Sequence, residues 1–180
     1  MTVILPGSYD PVTVGHLEVI RRAAECYDEV YVVAFINEAK EYTFSLDDRI
    51  AMLQLATDEF DNVLVSYSLG RVVDYMREHG IEKIVKGYRT EADLAWEHHQ
   101  AEYNMRHGGY ETELIKCAPE YEGISSTLVR ERLARGESVD GLVPPPVSNY
   151  IQEIMLHTCS SMTQFTVSSR ARLLLLTALS

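Results

Sequence analysis

Cysteine is scarce in this sequence of 180 residues, and the three that occur form no CxxC pair: Cys26, Cys117 and Cys159. Their odd number and their spacing argue against a zinc site and against a disulfide framework, since both need grouped or paired cysteines. Such sparse use of cysteine is typical of a reducing compartment. We therefore expect a cytoplasmic protein.

Long apolar runs are missing as well. The first residues, MTVILPGS, have no basic leader and few apolar residues before Pro6, so they do not resemble a signal peptide. The run RLLLLTALS near the end is far shorter than the ~20 apolar residues that a membrane-spanning helix needs. We expect no membrane partner.

Positive charge is in short supply, because 16 Lys and Arg face 27 Asp and Glu and the net charge is -11. Nucleic acids select basic surfaces, so we expect no nucleic-acid partner. A small phosphorylated ligand is compatible with these numbers, because it needs only a few local cations and backbone N–H groups.

The sequence does contain a regular alternation of two patterns. Short runs rich in valine and isoleucine, typical of buried strands, alternate with segments of helical periodicity. Strands are expected at residues 2–6, 30–36, 63–67, 83–87 and 113–117, and helices at 16–27, 45–57, 71–80, 91–107, 126–136 and 148–157. This order predicts an α/β fold, with a parallel five-stranded sheet and helices on both faces, in a single domain over residues 1–157. Residues 158–180 lack helical amphipathicity, and we expect a tail of unknown role there, either disordered or foreign to the domain.

Ligands of such sheets bind beyond the carboxyl ends of the strands, where the strand order reverses. The loop at residues 6–16 leads from the first strand into a helix, and it places Gly7, Ser8 and His16 close to the helix N-terminus. Free backbone N–H groups and the helix dipole make such a terminus an anion site. For a lone Gly-His pair, however, a turn with a capping histidine is the commoner explanation.

Three further groups fall on the same edge of the predicted sheet. Residues 125–127, Ser-Ser-Thr, precede a helical segment; Lys86 and Arg89 flank a glycine after a strand; Lys40 lies in the loop after the second strand. Each has an ordinary explanation by itself, as an N-cap, a solvated turn or a surface lysine. Together with His16 they indicate a site for a nucleotide or a phosphate ester.

The stretch PGSYDPVTVGH resembles the [TH]xGH motif of the nucleotidyltransferase superfamily, with Thr13, Val14, Gly15 and His16 as the motif. With KEYTFSLDDR, KGYR…DLAWE and GISSTLVRE, in order from about Thr2 to His157, the chain resembles the bacterial-type phosphopantetheine adenylyltransferases. The resemblance implies a Rossmann-like fold and direct in-line adenylyl transfer from ATP to 4′-phosphopantetheine, giving dephospho-coenzyme A and pyrophosphate. This is the fourth, penultimate step of coenzyme A biosynthesis. It also implies Mg²⁺ with ATP, a homohexamer, and coenzyme A as a feedback inhibitor.

The resemblance also implies roles for single residues. His16 would stabilise the transition state, with Lys40 and Arg89 as catalytic cations. The residues implied for the acceptor are Ser8, Lys40, Val72 and Lys86. Those implied for ATP are Ser8, Tyr9, His16, Gly87, Tyr88, Arg89, Glu97, Tyr121, Glu122, Gly123, Ile124, Ser125, Ser126 and Thr127. No side chain is expected as a metal ligand.

Two features depart from the family pattern, and two other functions stay open. Lys86 stands where arginine is more usual, and Glu41 follows Lys40 in a loop that is often rich in proline and lysine. The first alternative is a related transferase whose acceptor is nicotinamide mononucleotide or glycerol phosphate, although the cytidylyl type usually has RTxGIST in place of YEGISST. The second is a nucleotide-binding regulator without catalysis, against which the presence of His16 and of residues 125–127 argues.

Overall fold

The computed structural model describes residues 1–156. Its strands are β1 Thr2–Gly7, β2 Glu29–Phe35, β3 Val63–Ser68, β4 Lys83–Tyr88 and β5 Glu111–Lys116. Its helices are α1 Val14–Cys26, α2 Leu46–Thr57, α3 Val72–His79, α4 Glu91–Gly108 and α5 Ser126–Ala134, with a 3₁₀ turn at Pro119–Tyr121 and a further helical stretch at residues 145–156. The chain divides into two units, Met1–Val147 and one that begins at Ser148. The sheet belongs to the first, and the tail expected at residues 158–180 lies outside the described residues.

The sheet has the predicted form. Its strand order is β3-β2-β1-β4-β5, and every neighbouring pair is parallel. Residues 3–6 of the central strand β1 are all buried, although alternate residues of a strand point to opposite faces. Both faces are therefore covered, which confirms the α/β architecture. The edge strand β3 is less buried than its apolar sequence predicts, since Leu64 and Tyr67 are exposed.

The two faces are packed by different helices. On one face, Met76 of α3 belongs to a buried cluster with Ile4 and Ile84. Gly87 lies three positions after Ile84 on β4 and so points to the other face, where it meets Val19 of α1. The helix that carries His16 is therefore packed directly on β4, the strand that carries Lys86 and ends one residue before Arg89.

Candidate active site

A cleft of about 350 Å³ opens where β1 and β4 separate. These strands are paired only at Val3–Lys83 and Ile4–Ile84, and no further pair joins their carboxyl halves. Residues 5–7 and 85–88, which follow the last pair, all line the cleft. The strand order reverses between β1 and β4, so the cleft lies where parallel sheets bind ligands. Pro6 fits this split, because proline brings no N–H group to a sheet ladder.

Two helices begin at the cleft, and their first turns differ from those of α2, α3 and α4. Neither α1 nor α5 has an acidic residue in its first turn. In α2, α3 and α4, by contrast, Asp or Glu side chains occupy the first turn. Carboxylates there offset the positive end of a helix dipole, so their absence from α1 and α5 leaves two helix N-termini free to attract an anion.

Thr13 determines how His16 is held. It caps α1, so the helix begins two residues before its expected start and His16 lies in the first turn. The Thr13 hydroxyl accepts a hydrogen bond from the His16 backbone N–H at 3.3 Å. In return, the backbone N–H of Thr13 donates to Nδ1 of His16 at 3.1 Å. Because Nδ1 accepts, the proton of the neutral imidazole resides on Nε2.

The ring of His16 is uncharged at neutral pH. Burial, followed by the nearby positive charges of Arg89 and Lys86, lowers the pKa of His16 to about 4. An imidazole with this pKa acts at pH 7 as a hydrogen-bond donor through Nε2, not as a cation. It can therefore bind a phosphate oxygen in a cleft whose positive charge already comes from lysine and arginine side chains.

The loop after β1 is shaped by Tyr9. Its backbone has a φ of 47°, in the left-handed region, and its hydroxyl donates to the carbonyl of Leu5 at 2.8 Å. The ring also lies edge-on to His16, with centroids 5.2 Å apart. A Cβ on Gly7 would come within 2.9 Å of the Tyr9 ring, so this position requires glycine. With its hydroxyl bonded to the backbone of β1, Tyr9 presents only its ring and backbone to a ligand.

The cationic side chains reach the cleft from different elements. Lys40, in the loop after β2, donates from Nζ to Oγ of Ser8 at 3.2 Å. Lys86 Nζ lies 3.6 Å from Glu97 of α4, and Arg89 donates to the carbonyl of Ile124 at 3.0 Å. The site thus joins β1, β2, β4, α4 and the start of α5.

Charge in the cleft has the opposite sign to that of the whole chain. Four cationic side chains and three carboxylates line it: Lys40, Lys86, Arg89 and Arg130, and Asp10, Asp93 and Glu97. The cleft therefore has an excess of positive charge in a chain whose net charge is -11. A local excess of this kind concentrates an anionic ligand at the site.

Most of the residues expected from the sequence do meet in this cleft. Those that line it are Ser8, Tyr9, His16, Lys40, Lys86, Gly87, Tyr88, Arg89, Glu97, Ile124, Ser125, Ser126 and Thr127. The hydroxyls of the serines are already engaged, since Ser125 accepts from the N–H of Leu128 and Ser126 donates to the carbonyl of Pro11.

Four expected residues are not among those that line the cleft. Val72 packs beside the buried cluster of α3, on the other face of the sheet from α1. Tyr121, Glu122 and Gly123 belong to the turn before α5, where Glu122 lies 3.9 Å from Nζ of Lys116. These three residues were assigned from the motif alone. Of the segment before α5, only Ile124 and Ser125 line the cleft.

Several lining residues were not assigned a binding or catalytic role from the sequence: Asp10, Thr13, Asp93, Trp96, Cys117 and Arg130. Trp96 is 62% exposed and lies at the edge of the cleft. Arg130 could have been found, because it lies one helical turn after Ser126 and shares its helix face. Asp10 offered no such signal, since its partners lie 33 and 34 residues away.

Over residues 1–156, no three His, Cys, Asp or Glu side chains come together as a metal site would require. Across the same residues, no helix combines the length and the apolar character needed to cross a membrane.

Comparison with protein families gives a match to the cytidylyltransferase-like family over residues 4–132. The match extends over more than half of the chain and includes every residue that lines the cleft, from Leu5 to Arg130.

Proposed function

Because the chain belongs to the cytidylyltransferase-like family, and so to the nucleotidyltransferase superfamily, we propose that it transfers the adenylyl group of ATP to 4′-phosphopantetheine. The products are dephospho-coenzyme A and pyrophosphate. The observation that carries the nucleotidyl-transfer chemistry is a neutral His16, with Nδ1 fixed by Thr13, in a cleft between two acid-free helix N-termini.

The proposed reaction is a single in-line displacement. An oxygen of the acceptor's phosphate forms a bond to the α-phosphorus of ATP, and the bond from that phosphorus to the β-phosphate oxygen breaks, so pyrophosphate leaves with the electron pair. Such a reaction needs positioning and charge neutralisation more than acid–base groups. Nε2–H of His16 would donate to an oxygen of the α-phosphate. Lys40 would hold the acceptor phosphate, and the N-terminus of α5 would receive the pyrophosphate.

We propose that ATP enters as its magnesium complex. Mg²⁺ is usually bound by substrate phosphates, water and one or two carboxylates, without a cage of protein ligands. The cleft suits this arrangement, since Lys40, Lys86 and Arg89 line it and can bind phosphate oxygens, whereas Oε2 of Glu97 already lies 3.6 Å from Nζ of Lys86. The ion would be part of the substrate, and the protein would bind it through the phosphates.

The choice of acceptor is supported by the resemblance of KGYR…DLAWE and YEGISST to the pantetheine enzymes. The name of the matched family favours cytidylyl transfer as a second candidate, for which glycerol phosphate is the acceptor that the sequence left open. A cytoplasmic homohexamer with feedback by coenzyme A belongs to the same proposal, and exposed apolar residues on α4, among them Tyr103 and Met105, are compatible with self-association.

The experiment is a panel of pyrophosphate-release assays on the purified chain. ATP and CTP, each with magnesium, are combined with 4′-phosphopantetheine, nicotinamide mononucleotide, glycerol 3-phosphate or no acceptor. We expect release with ATP and 4′-phosphopantetheine only. Release with CTP and glycerol 3-phosphate would establish the second candidate. Binding of ATP without release in any combination would show a regulator without catalysis.

A further inference from the structure

Asp10 is buried beside the cleft, with 2% of its surface exposed, yet its carboxylate has a complete set of partners. Oδ2 accepts the backbone N–H of Thr43 at 3.0 Å, and Oδ1 accepts that of Phe44 at 2.9 Å. The guanidinium of Arg130 lies 3.9 Å from Oδ2 and balances its charge. Because backbone groups occupy both oxygens, Asp10 is not suited to bind a metal or to accept a proton from a substrate.

The same residue is also bound through its backbone. Its carbonyl accepts a hydrogen bond from Nη1 of Arg130 at 2.6 Å, and Nη2 of Arg130 donates to Oγ1 of Thr127 at 3.2 Å. The hydroxyl of Ser126 donates to the carbonyl of Pro11 at 2.8 Å. The loop after β1 is thus fixed to the first turn of α5.

Asp10 therefore joins three segments that carry different parts of the proposed site. The loop after β1 carries Ser8, the loop after β2 carries Lys40 three residues before Thr43, and α5 carries Thr127. A second link supports the same arrangement, since the buried Arg49 donates to the carbonyl of Ser8 at 2.8 Å. The guanidinium of Arg49 also lies 4.0 Å from the ring centroid of Tyr42.

We propose that Asp10 is a positioning residue that holds the loop of Lys40 and the start of α5 in register across the cleft. This inference rests on the proposed function, because it assigns Lys40 to the acceptor and α5 to the nucleotide. A carboxylate is needed because two neighbouring N–H groups require two acceptor atoms. An asparagine of the same size provides one acceptor and would turn an NH₂ group toward the other N–H.

The test compares Asp10→Asn with the exposed control Asp61→Asn, in the full chain. In Asp10→Asn we expect faster amide hydrogen exchange over residues 37–44 and unchanged exchange over Val72–His79. We expect the KM for 4′-phosphopantetheine to rise about tenfold or more. The KM for ATP should change less than about threefold, because Asp10→Asn keeps the backbone carbonyl that accepts from Arg130 of α5. Asp61→Asn should match the unmodified chain in all three measurements.

A double-mutant cycle separates positioning from general destabilisation. If Asp10 acts through Lys40, then in a Lys40→Met background Asp10→Asn should add less than about threefold to the loss in kcat/KM. The proposal would be overturned if the loss in kcat/KM of the double variant equalled the product of the two single losses. Unchanged amide exchange over residues 37–44 in Asp10→Asn would also overturn it. If Asp10→Asn does not fold, as judged by circular dichroism, Asp10→Glu replaces it, with the same directions expected because the added methylene displaces both oxygens.

The amide-exchange measurement needs no substrate, so a failure of the proposed function can be distinguished from a failure of the role proposed for Asp10. If the unmodified chain turns over no acceptor, the proposed function is wrong, and unchanged exchange in Asp10→Asn would separately contradict the link from Asp10 to the loop of Lys40.

Discussion

At the scale of single residues, the site depends on how one histidine is kept neutral and oriented. Burial and two neighbouring cations lower the pKa of His16 to about 4, and the N–H of Thr13 leaves Nε2 as its donor. Removing a neutral imidazole from water costs less free energy than removing an imidazolium, and Lys86 and Arg89 would repel a further positive charge in this cleft. Lysine and arginine thus supply the positive charge for binding phosphate, and His16 supplies a hydrogen-bond donor of fixed orientation.

Replacement of His16 by alanine removes that preorganised donor. Loss of one donor at a reacting centre typically costs roughly 10²–10³ in kcat, and we expect a loss in this range for His16→Ala. The exposed His107, which lies outside the cleft, provides the control His107→Ala, with kcat unchanged. Steady-state pyrophosphate release measures both. A His16→Ala variant that retains more than about a tenth of the turnover would contradict the role.

The lowered pKa of His16 also predicts how stability depends on pH. In the unfolded chain a histidine titrates near ~6.5, so between about pH 6.5 and pH 4 protons bind the unfolded state first. This group therefore lowers the stability of the fold as pH falls through that range, and it contributes nothing above it. Urea unfolding at pH 7.5 and pH 5.0 measures the effect.

The control for this prediction is His16→Asn, which has no titrating ring. Between the two pH values, the unmodified chain should lose roughly 1–2 kcal/mol more unfolding free energy than His16→Asn. Equal losses in both chains would show that the pKa of His16 in the fold is close to its value in the unfolded state.

At the scale of elements, the position of His16 at the cleft depends on how closely α1 packs against β4. A Cβ on Gly87 would come within 2.7 Å of Cγ2 of Val19. Valine has a stiff side chain and Val19 is buried, so it has little room to move aside. The sequence motif assigned Gly87 to ATP, and the packing adds a second reason for glycine at this position.

Gly87→Ala should therefore displace the start of α1 and with it His16. We expect a loss of about 1–3 kcal/mol in unfolding free energy, typical of overpacking, together with a fall in kcat. The double variant Gly87→Ala, Val19→Ala, which makes room for the new methyl group, should recover part of the kcat. Gly70→Ala, where a Cβ meets only ordinary contacts, is the control. A double variant no more active than Gly87→Ala alone would contradict this explanation.

The elements were predictable where local patterns decide them. Valine- and isoleucine-rich runs located all five strands within two residues of their observed ends. The start of α1 was placed two residues late, because its cap is Thr13 and the reciprocal bond comes from the histidine ring. The exposure of Leu64 was not predictable, since an apolar run does not show whether its strand lies at a sheet edge.

The site was predictable to the extent that motifs carry it. Residues at the carboxyl ends of β1 and β4 were expected together and do meet. The contacts of Asp10 with Thr43 and Phe44 join distant loops, and no local pattern records such a contact. Val72 was assigned through the resemblance to the pantetheine enzymes, and its position against the buried cluster depends on how α3 packs.

At the scale of the whole molecule, the site is formed entirely by the first 130 residues of the chain. Every lining residue lies between Leu5 and Arg130, and the family match ends at residue 132. A chain ending at His157, without the expected tail, should therefore keep kcat/KM within about threefold of the full chain. The proposed hexamer should persist in both forms.

Light scattering during gel filtration tests the assembly, with an expected mass about six times the 20.4 kDa of one chain. If the truncated chain loses activity while its assembly still holds six chains, the tail has a role in the site. If the number of chains in the assembly changes, the tail has a role in assembly.

The central claim is that this cleft moves the α-phosphate of ATP to a phosphorylated acceptor. The most direct measurement follows ATP labelled at the α-phosphate, and separately at the γ-phosphate, with magnesium and 4′-phosphopantetheine. We predict that the α-label enters the acceptor product, that the γ-label enters pyrophosphate, and that both transfers nearly cease in His16→Ala. Transfer of the γ-label to the acceptor, or no transfer of either label while ATP remains bound, would contradict the account.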